Sequence, residues 1–212
     1  MTEIYIVRHG ESSSNVDKAF TGQLNADLSE LGMAQAERVA KYFKGIKIDA
    51  VYSSDLIRAV HTAKPLADSK GIEIVTSPSL REINAGLWQG VAFTEIEKRF
   101  PNTYRVWRND IGRSRCDGGE SVAELADRVY SYILKIAKEN AGKSVAIFTH
   151  ATPLKSFISL ITHGDVGKMS EIKWTKNASV SKFLFTNDSF SAEFICDVSH
   201  LDGMVSELPS NV

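Results

Sequence analysis

Short β-prone runs alternate with longer segments of helical periodicity, and this alternation constrains the fold more than any other feature of the chain. The runs cover residues 4–7, 49–52, 72–76 and 144–149, and helices are predicted at 29–45, 55–69 and after residue 121. Strands separated by helices pair in parallel, and a parallel sheet is covered by helices on both faces. Two last strands, at 179–185 and 190–197, are predicted to form a hairpin at the sheet edge. The sequence therefore predicts a three-layer α/β/α sandwich with a mostly parallel sheet and an antiparallel edge.

The chain has 212 residues, a length that suits one well-packed domain over residues 1–212. It contains no internal repeat, low-complexity segment or linker, and we expect its last dozen residues to be loosely ordered. A net charge of -1 argues against a general nucleic-acid or anionic-membrane binder. No apolar run approaches the ~20 residues that span a bilayer.

The start of the chain and its cysteines bear on its expected location. The chain enters its first strand at once and lacks the basic region and apolar core of a signal peptide. Cys116 and Cys196 lie far apart without metal-ligand spacing, so we expect reduced thiols in a cytoplasmic protein. Nothing in the sequence decides whether the chain forms a homo-oligomer.

Two of the predicted strands end at a histidine. His9 follows the first strand within Arg8-His9-Gly10, and His150 follows the strand at 144–149. Ligands bind at the carboxyl edge of such a sheet, where we expect the two imidazoles to meet. Arg58 begins the helix after the second strand and Glu82 follows the third, so both should face the same edge. Packing alone does not explain this convergence.

This set of residues suits phosphoryl transfer through a phosphohistidine, without metal or cofactor. Two guanidiniums and a protonated His150 would neutralise the phosphoryl dianion. The attacking imidazole must be neutral, with its second nitrogen held by a backbone carbonyl. Glu82 would protonate the leaving alkoxide. Three further histidines lack metal-ligand spacing and are predicted to be structural or on the surface: His61, His163 and His200.

The motifs around these residues are similar to those of a known family. The matching blocks, in order, are Arg8-His9-Gly10-Glu11 with Asn15, Phe20-Thr21-Gly22 with Asp27-Leu28-Ser29 and Gly32, Ser53-Ser54-Asp55-Leu56-Ile57-Arg58-Ala59 with Thr62-Ala63, Leu80-Arg81-Glu82-Ile83 with Gly86, Trp88 and Gly90, and Thr149-His150. In these motifs the chain resembles a phosphatase-type member of the histidine phosphatase superfamily, in its cofactor-dependent phosphoglycerate mutase-like branch. The likeness extends to about residue 186.

The resemblance implies a role for each matching residue. His9 would be the phosphorylated nucleophile and Glu82 the proton donor. The groups that hold the phosphoryl moiety would be Arg8, Arg58 and His150. The implied substrate-binding residues are Asn15, Thr21, Gly22 and Ala151. Many members carry glycine after the second histidine, whereas this chain has Ala151-Thr152-Pro153, which narrows the pocket and bears on substrate identity.

Three functions are weighed on this basis. We favour a phosphatase acting on a small phosphorylated substrate, because the segment between the Glu82 block and His150 is short. A phosphoglycerate mutase is the alternative, and a phosphate-binding regulatory module without turnover is the third. The substrate stays open among sugar phosphates, nucleotides and phosphorylated side chains. The candidate wall residues of the pocket are Phe20, Gln23, Leu24, Phe93, Tyr104 and Trp107. Four arginines could form either an anion-binding lid or a solvated face, of which the solvated face is favoured: Arg105, Arg108, Arg113 and Arg115.

Overall fold

The computed structural model describes residues 1–16 and 19–206, and within them the chain is built around one six-stranded sheet. The strands are β1 (Thr2–Arg8), β2 (Ala50–Ser54), β3 (Ile74–Ser77), β4 (Ser144–Thr149), β5 (Val180–Thr186) and β6 (Ser189–Asp197). Their order is β3-β2-β4-β1-β5-β6. The first four strands run parallel, and β5 and β6 add an antiparallel edge. The predicted sheet is confirmed.

Helices cover both faces of this sheet. They are α1 (Ser13–Val16), α2 (Glu30–Tyr42), α3 (Ile57–Lys70), α4 (Phe93–Arg99), α5 (Pro101–Asn109), α6 (Val122–Glu139) and α7 (Ala151–His163). Alternate residues of a strand point to opposite faces. Ile4 and Ile6 of β1 accordingly pack with residues of α6 and α7, while Tyr5 and Val7 pack with residues of α2 and α3.

Local capping signals set one end of each of two helices near the predicted position, while α2 ends at Tyr42, before the predicted residue 45. Ser29 caps α2 by accepting a hydrogen bond from the Gly32 amide at 3.1 Å, and Gly71 ends α3 in the left-handed conformation at φ 63. Asp55 does not begin a helix, although the predicted helix started there. Helix α3 begins at Ile57, and the side chain of its N-cap residue makes no capping bond. The Asp55 carboxylate instead accepts two hydrogen bonds from Arg81, at 2.6 and 2.5 Å. A bidentate guanidinium satisfies that carboxylate better than backbone amides would.

The carboxyl-terminal part of the chain packs back on the domain. The β5–β6 hairpin turns at Asn187 and Asp188, both with positive φ, as a tight two-residue turn requires. We expected the last dozen residues to be loosely ordered. Among them, Leu201 and Ser206 are buried, and Gln35 of α2 donates a hydrogen bond to the Ser206 hydroxyl at 3.0 Å. The remainder of that segment, residues 207–212, lies outside the described residues.

The cysteines and the helix lengths bear on two further expectations. Cys116 and Cys196 are both free thiols. Within residues 1–16 and 19–206, every helix is too short or too polar to cross a bilayer.

Candidate active site

The parallel pairing of β1 with β4 brings the two strand-end histidines together. Arg8 stands opposite Thr149, and the His9 amide donates a hydrogen bond to the Thr149 carbonyl at 2.9 Å. The ring centroids of His9 and His150 are 5.0 Å apart. A pocket opens at this edge of the sheet, lined in part by Arg8, His9, Arg58 and Glu82. His150 is fully buried and lies behind His9. The expected convergence is therefore found.

The His9 ring is held by one strong backbone contact. Its Nδ1 lies 2.6 Å from the carbonyl oxygen of Gly10, and this contact makes Nδ1 the protonated nitrogen, so Nε2 keeps its lone pair. The Gly10 amide donates to the Thr62 hydroxyl at 2.9 Å, and the Asn177 side-chain amide donates to the His9 carbonyl at 3.1 Å. Burial, followed by the charges of Arg58 and Arg8, holds the pKa of His9 well below its usual value. A neutral nucleophilic nitrogen was the sequence expectation for this residue.

The His150 ring is buried beside a guanidinium. Burial and the nearby Arg58 guanidinium hold the pKa of His150 well below its usual value, whereas the protonated imidazole that we expected concerns the site with a phosphoryl dianion bound. Its Nε2 lies 2.8 Å from the Ser54 hydroxyl. The pocket already carries two guanidiniums, so an imidazolium would be both desolvated and repelled. A bound dianion would supply opposing charge that favours the protonated form.

The two arginines of the pocket each keep a buried donor without a partner in the described residues. Arg58 donates to the carbonyl oxygens of Gly22 and Leu24, each at 2.8 Å, and Arg8 donates to that of Thr175. The Nε atoms of both arginines are buried, and within the described residues they have no hydrogen-bond partner. Burial lowers the pKa of each guanidinium to about 10, so both stay charged at neutral pH. Two buried cations with spare donors fit a phosphate-sized anion.

Glu82 is the carboxylate of the pocket. Its Oε1 accepts a hydrogen bond from the Ile83 amide at 2.7 Å, and its Oε2 accepts one from the Thr152 amide at 3.3 Å. Its charge also acts on the pKa of Arg8 and Arg58, which places it near both guanidiniums. A carboxyl group at this place can exchange a proton with an ester oxygen bound beside His9.

The four expected substrate-binding residues all line the pocket: Asn15, Thr21, Gly22 and Ala151. The Oδ1 atom of Asn15 accepts from the Ser12 amide at 3.0 Å and from Asn177 at 3.3 Å, so Asn15 is fixed in place. Ala151 is the first residue of α7. The N-terminus of this 13-residue helix therefore borders the pocket, where its dipole favours an anion.

The aromatic wall was predicted in part. Phe20, Phe93 and Trp107 line the pocket as expected. The other three candidates do not: Gln23 bonds the Glu82 carbonyl, Leu24 bonds Arg58 through its carbonyl, and Tyr104 packs against Trp88. Trp174 and Thr152 line the pocket without having been predicted as walls. Trp174 belongs to an irregular segment, residues 172–179, that carries no motif.

Two side chains that position the site were missed by sequence reasoning. The guanidinium of Arg128 pairs with Glu120 at 2.6 Å and donates to three carbonyl oxygens of the loop that carries Glu82: Ser79 at 3.0 Å, Arg81 at 2.9 Å and Glu82 at 3.0 Å. Asn177 holds the backbone of His9 from 168 residues further along the chain. Neither contact leaves a local sequence signal.

The remaining basic and imidazole side chains lie elsewhere. Arg113 pairs with Asp110 at 3.3 Å, Arg115 pairs with Glu124 at 2.5 Å, and Arg105 is exposed, which favours the solvated face over the lid. Arg108 lines a neighbouring groove. The other histidines bond outside the pocket: His61 with Asp27, His163 near Glu171 and His200 with the Ala178 carbonyl.

The site and the fold agree with the family comparison. The histidine phosphatase superfamily (branch 1) matches residues 4–198, and the chain belongs to this family. Phosphoglycerate mutase-like protein 4 of Arabidopsis thaliana is 35% identical over 206 residues, which cover 94% of this chain and 87% of that protein. The metal-independent phosphoserine phosphatase of the same plant is 34% identical over 210 residues, covering 96% and 85%. The solved structure of Bacillus stearothermophilus YhfR superposes with a TM-score of 0.91 at 26% identity, covering 95% of this chain and 100% of that one.

Proposed function

We propose that this protein is a phosphatase that hydrolyses a small phosphomonoester through a phosphohistidine on His9. The observation that carries the proposal is the 2.6 Å contact between His9 Nδ1 and the Gly10 carbonyl. It fixes the tautomer in which Nε2 is the nucleophile, in a pocket that also contains two guanidiniums and a carboxyl group.

In the first step, Nε2 of His9 attacks phosphorus and the bond to the ester oxygen breaks. Arg8 and Arg58 neutralise the charge on the phosphoryl oxygens, together with the amide end of α7. Glu82 gives its proton to the departing alkoxide, which leaves as an alcohol. The bound dianion raises the proton affinity of His150, which then becomes a further donor to the phosphoryl group.

In the second step, a water molecule attacks the phosphohistidine. Glu82 is now ionised and takes a proton from that water, because a group that donates in one direction accepts in the other. The bond between phosphorus and Nε2 breaks, and inorganic phosphate leaves. His9 returns to its neutral form, with Nδ1 still held by Gly10.

Phosphoserine is the substrate that we place first. The support is the Arabidopsis metal-independent phosphoserine phosphatase, which is 34% identical to almost the whole of this chain. Mutase activity is the second candidate, favoured by the name of the relative that is 35% identical. A mutase must retain a bisphosphate while it turns, which needs further basic side chains near the site.

Hydrolysis of a phosphomonoester panel tests the proposal. Release of inorganic phosphate is measured from phosphoserine, 3-phosphoglycerate, several sugar phosphates, nucleoside monophosphates and p-nitrophenyl phosphate. We expect turnover of p-nitrophenyl phosphate and the best kcat/KM for a small metabolite. Interconversion of 3- and 2-phosphoglycerate faster than phosphate release would favour the mutase. Absence of both reactions would leave the non-enzymatic binding module.

A further inference from the structure

A basic groove adjoins the candidate active site. Trp107 and Trp174 line both cavities, so the groove and the pocket share a wall. Its basic side chains are Arg108, Lys155, Lys173 and Lys176. Glu171 is the acidic residue among those lining the groove, and it is engaged by Lys168 at 3.0 Å. The groove therefore carries an excess of positive charge beside the pocket where the ester would bind.

Lys155 is the unusual member of this groove. It is only 4% exposed, and its Nζ lies 4.1 Å from the centre of the Trp174 ring. Among the described residues, no carboxylate lies within ion-pair distance of this ammonium. Burial lowers the pKa of Lys155 to about 8, and no neighbouring charge opposes that effect. A buried cation whose partner is an aromatic face destabilises the folded protein unless a further group compensates its charge.

The position of Lys155 relates it to the candidate site. It stands four residues after Ala151 on α7, and residues with this spacing share a helix face. The two Cα atoms are separated by about 6 Å along the helix axis. Ala151 borders the phosphoryl pocket, and Lys155 lies about one helical turn beyond it, among the residues that line the adjoining groove. That distance suits the far end of a small metabolite.

We propose that this groove binds a second negatively charged group on the leaving part of the substrate, with Lys155 as its counter-ion. The group is a carboxylate or a second phosphate of the same molecule. The inference rests on the proposed phosphatase function and deepens it, because it selects phosphomonoesters whose leaving group carries an anionic group over those whose leaving group carries none. Trp174 is the shared wall along which the substrate lies.

Matched substrate pairs test this selection. Phosphoserine and phosphoethanolamine differ only in the carboxylate, while 1,3-propanediol bisphosphate and 3-hydroxypropyl phosphate differ only in the second phosphate. Lys155→Met keeps the length and removes the charge. We expect it to lower the ratio of kcat/KM within one pair by about tenfold or more, mainly through KM. The pair that responds identifies the anion.

Lys135→Met is the control variant. Lys135 is an exposed lysine of α6, 3.8 Å from Glu139, so its loss makes the same change in net charge far from the groove. It should leave both ratios unchanged. Equal losses for both members of each pair in Lys155→Met would leave both ratios unchanged and would assign Lys155 a structural role. That result, like unchanged kcat/KM for all four substrates, overturns the proposal.

A binding measurement separates failure of this proposal from failure of the phosphatase assignment. Calorimetry compares phosphoserine with phosphoethanolamine, and the bisphosphate with its monophosphate, in His9→Ala and in His9→Ala/Lys155→Met. We expect the second variant to lose the preference for the more anionic ligand. If the native protein hydrolyses no phosphomonoester, the phosphatase assignment fails, and this preference alone decides the role of Lys155. Identical affinities in the two variants would overturn it.

Discussion

The imidazole rings of His9 and His150 lie 5.0 Å apart between centroids, with their planes tilted by 60°. Both rings are buried, and their pKa values are held well below the usual range by burial and by the nearby guanidiniums. Two neutral imidazoles and two cationic arginines thus meet at this site. We expect a bound dianion to balance this charge and to favour protonation of His150.

The pH dependence of stability follows from these two rings. Below about pH 6.5 an unfolded histidine takes up a proton, whereas the buried rings stay neutral. The unfolded state then binds more protons, so stability is greatest above that pH and falls as the pH is lowered. The midpoint of thermal unfolding should decrease between about pH 7.5 and pH 5.5. His150→Gln should flatten the curve, and an unchanged slope in that variant would contradict the prediction.

Replacement of the nucleophile is the most direct functional test. His9→Ala should abolish turnover while the protein stays folded, because we assign the phospho-enzyme to His9. Acid-labile, base-stable phosphate should be trapped on the native protein and be absent from the variant. His61→Ala is the control, since that ring pairs with Asp27 at the surface. Activity above a few per cent in His9→Ala would refute the assignment.

Chelation tests the expectation of a metal-free mechanism. With the dianion neutralised by Arg8, Arg58 and a protonated His150, activity should survive thorough EDTA treatment. Vanadate should inhibit, because it mimics five-coordinate phosphorus at the attacking nitrogen. Initial rates before and after chelation provide the measurement. Loss of activity that magnesium or zinc restores would overturn the mechanism.

Glu82 can be tested through the leaving group. General-acid help is typically ~10²–10⁴-fold, and a poor leaving group depends on it most. Glu82→Gln should lower kcat/KM for an alkyl phosphate by at least about tenfold more than for p-nitrophenyl phosphate, whose phenolate leaves without protonation. The comparison requires that the first phosphoryl transfer limits the rate. Equal losses would show that Glu82 only shapes the pocket.

Arg128 should act through Glu82 without contacting substrate. Arg128→Ala frees three carbonyl oxygens of the Glu82 loop and leaves Glu120 unpaired, so we expect a loss of about 1–3 kcal/mol in unfolding free energy. Activity should fall more for an alkyl phosphate than for p-nitrophenyl phosphate, as for Glu82→Gln. Arg113→Ala, which removes an exposed guanidinium, is the control. A loss of stability without this leaving-group dependence would restrict Arg128 to a structural role.

Most of the scaffold could be predicted because its signals are local. The two β-prone runs that end at His9 and His150 were enough to predict neighbouring parallel strands, and their pairing is observed. Ser29 and Gly71 marked helix ends through short-range capping. The helix start predicted at Asp55 was wrong by two residues. Arg81, 26 residues further along the chain, binds the Asp55 carboxylate, which is then not used to cap the helix amides.

The parts of the site that were missed depend on distant contacts or on the environment. Arg128 reaches the Glu82 carbonyl across 46 residues, and Asn177 reaches His9 across 168. Trp174 comes from an irregular segment without periodicity. The complete burial of the His150 ring could not be predicted either, because residue types alone do not reveal how deeply a side chain lies.

The order of the strands also governs when this site can exist during synthesis. β1 is made first, yet it lies between β4 and β5, whose partner residues for Ile4 are Val145 and Phe183. A nascent chain that ends before β4 leaves β1 with both edges unpaired, and pairings of such long range form slowly. His9 directly follows β1 and is made long before β4 and β5, so it reaches its final surroundings late. A chain terminated before β4 would expose a strand with unpaired edges, which favours aggregation, and it would lack His150 and therefore the complete site.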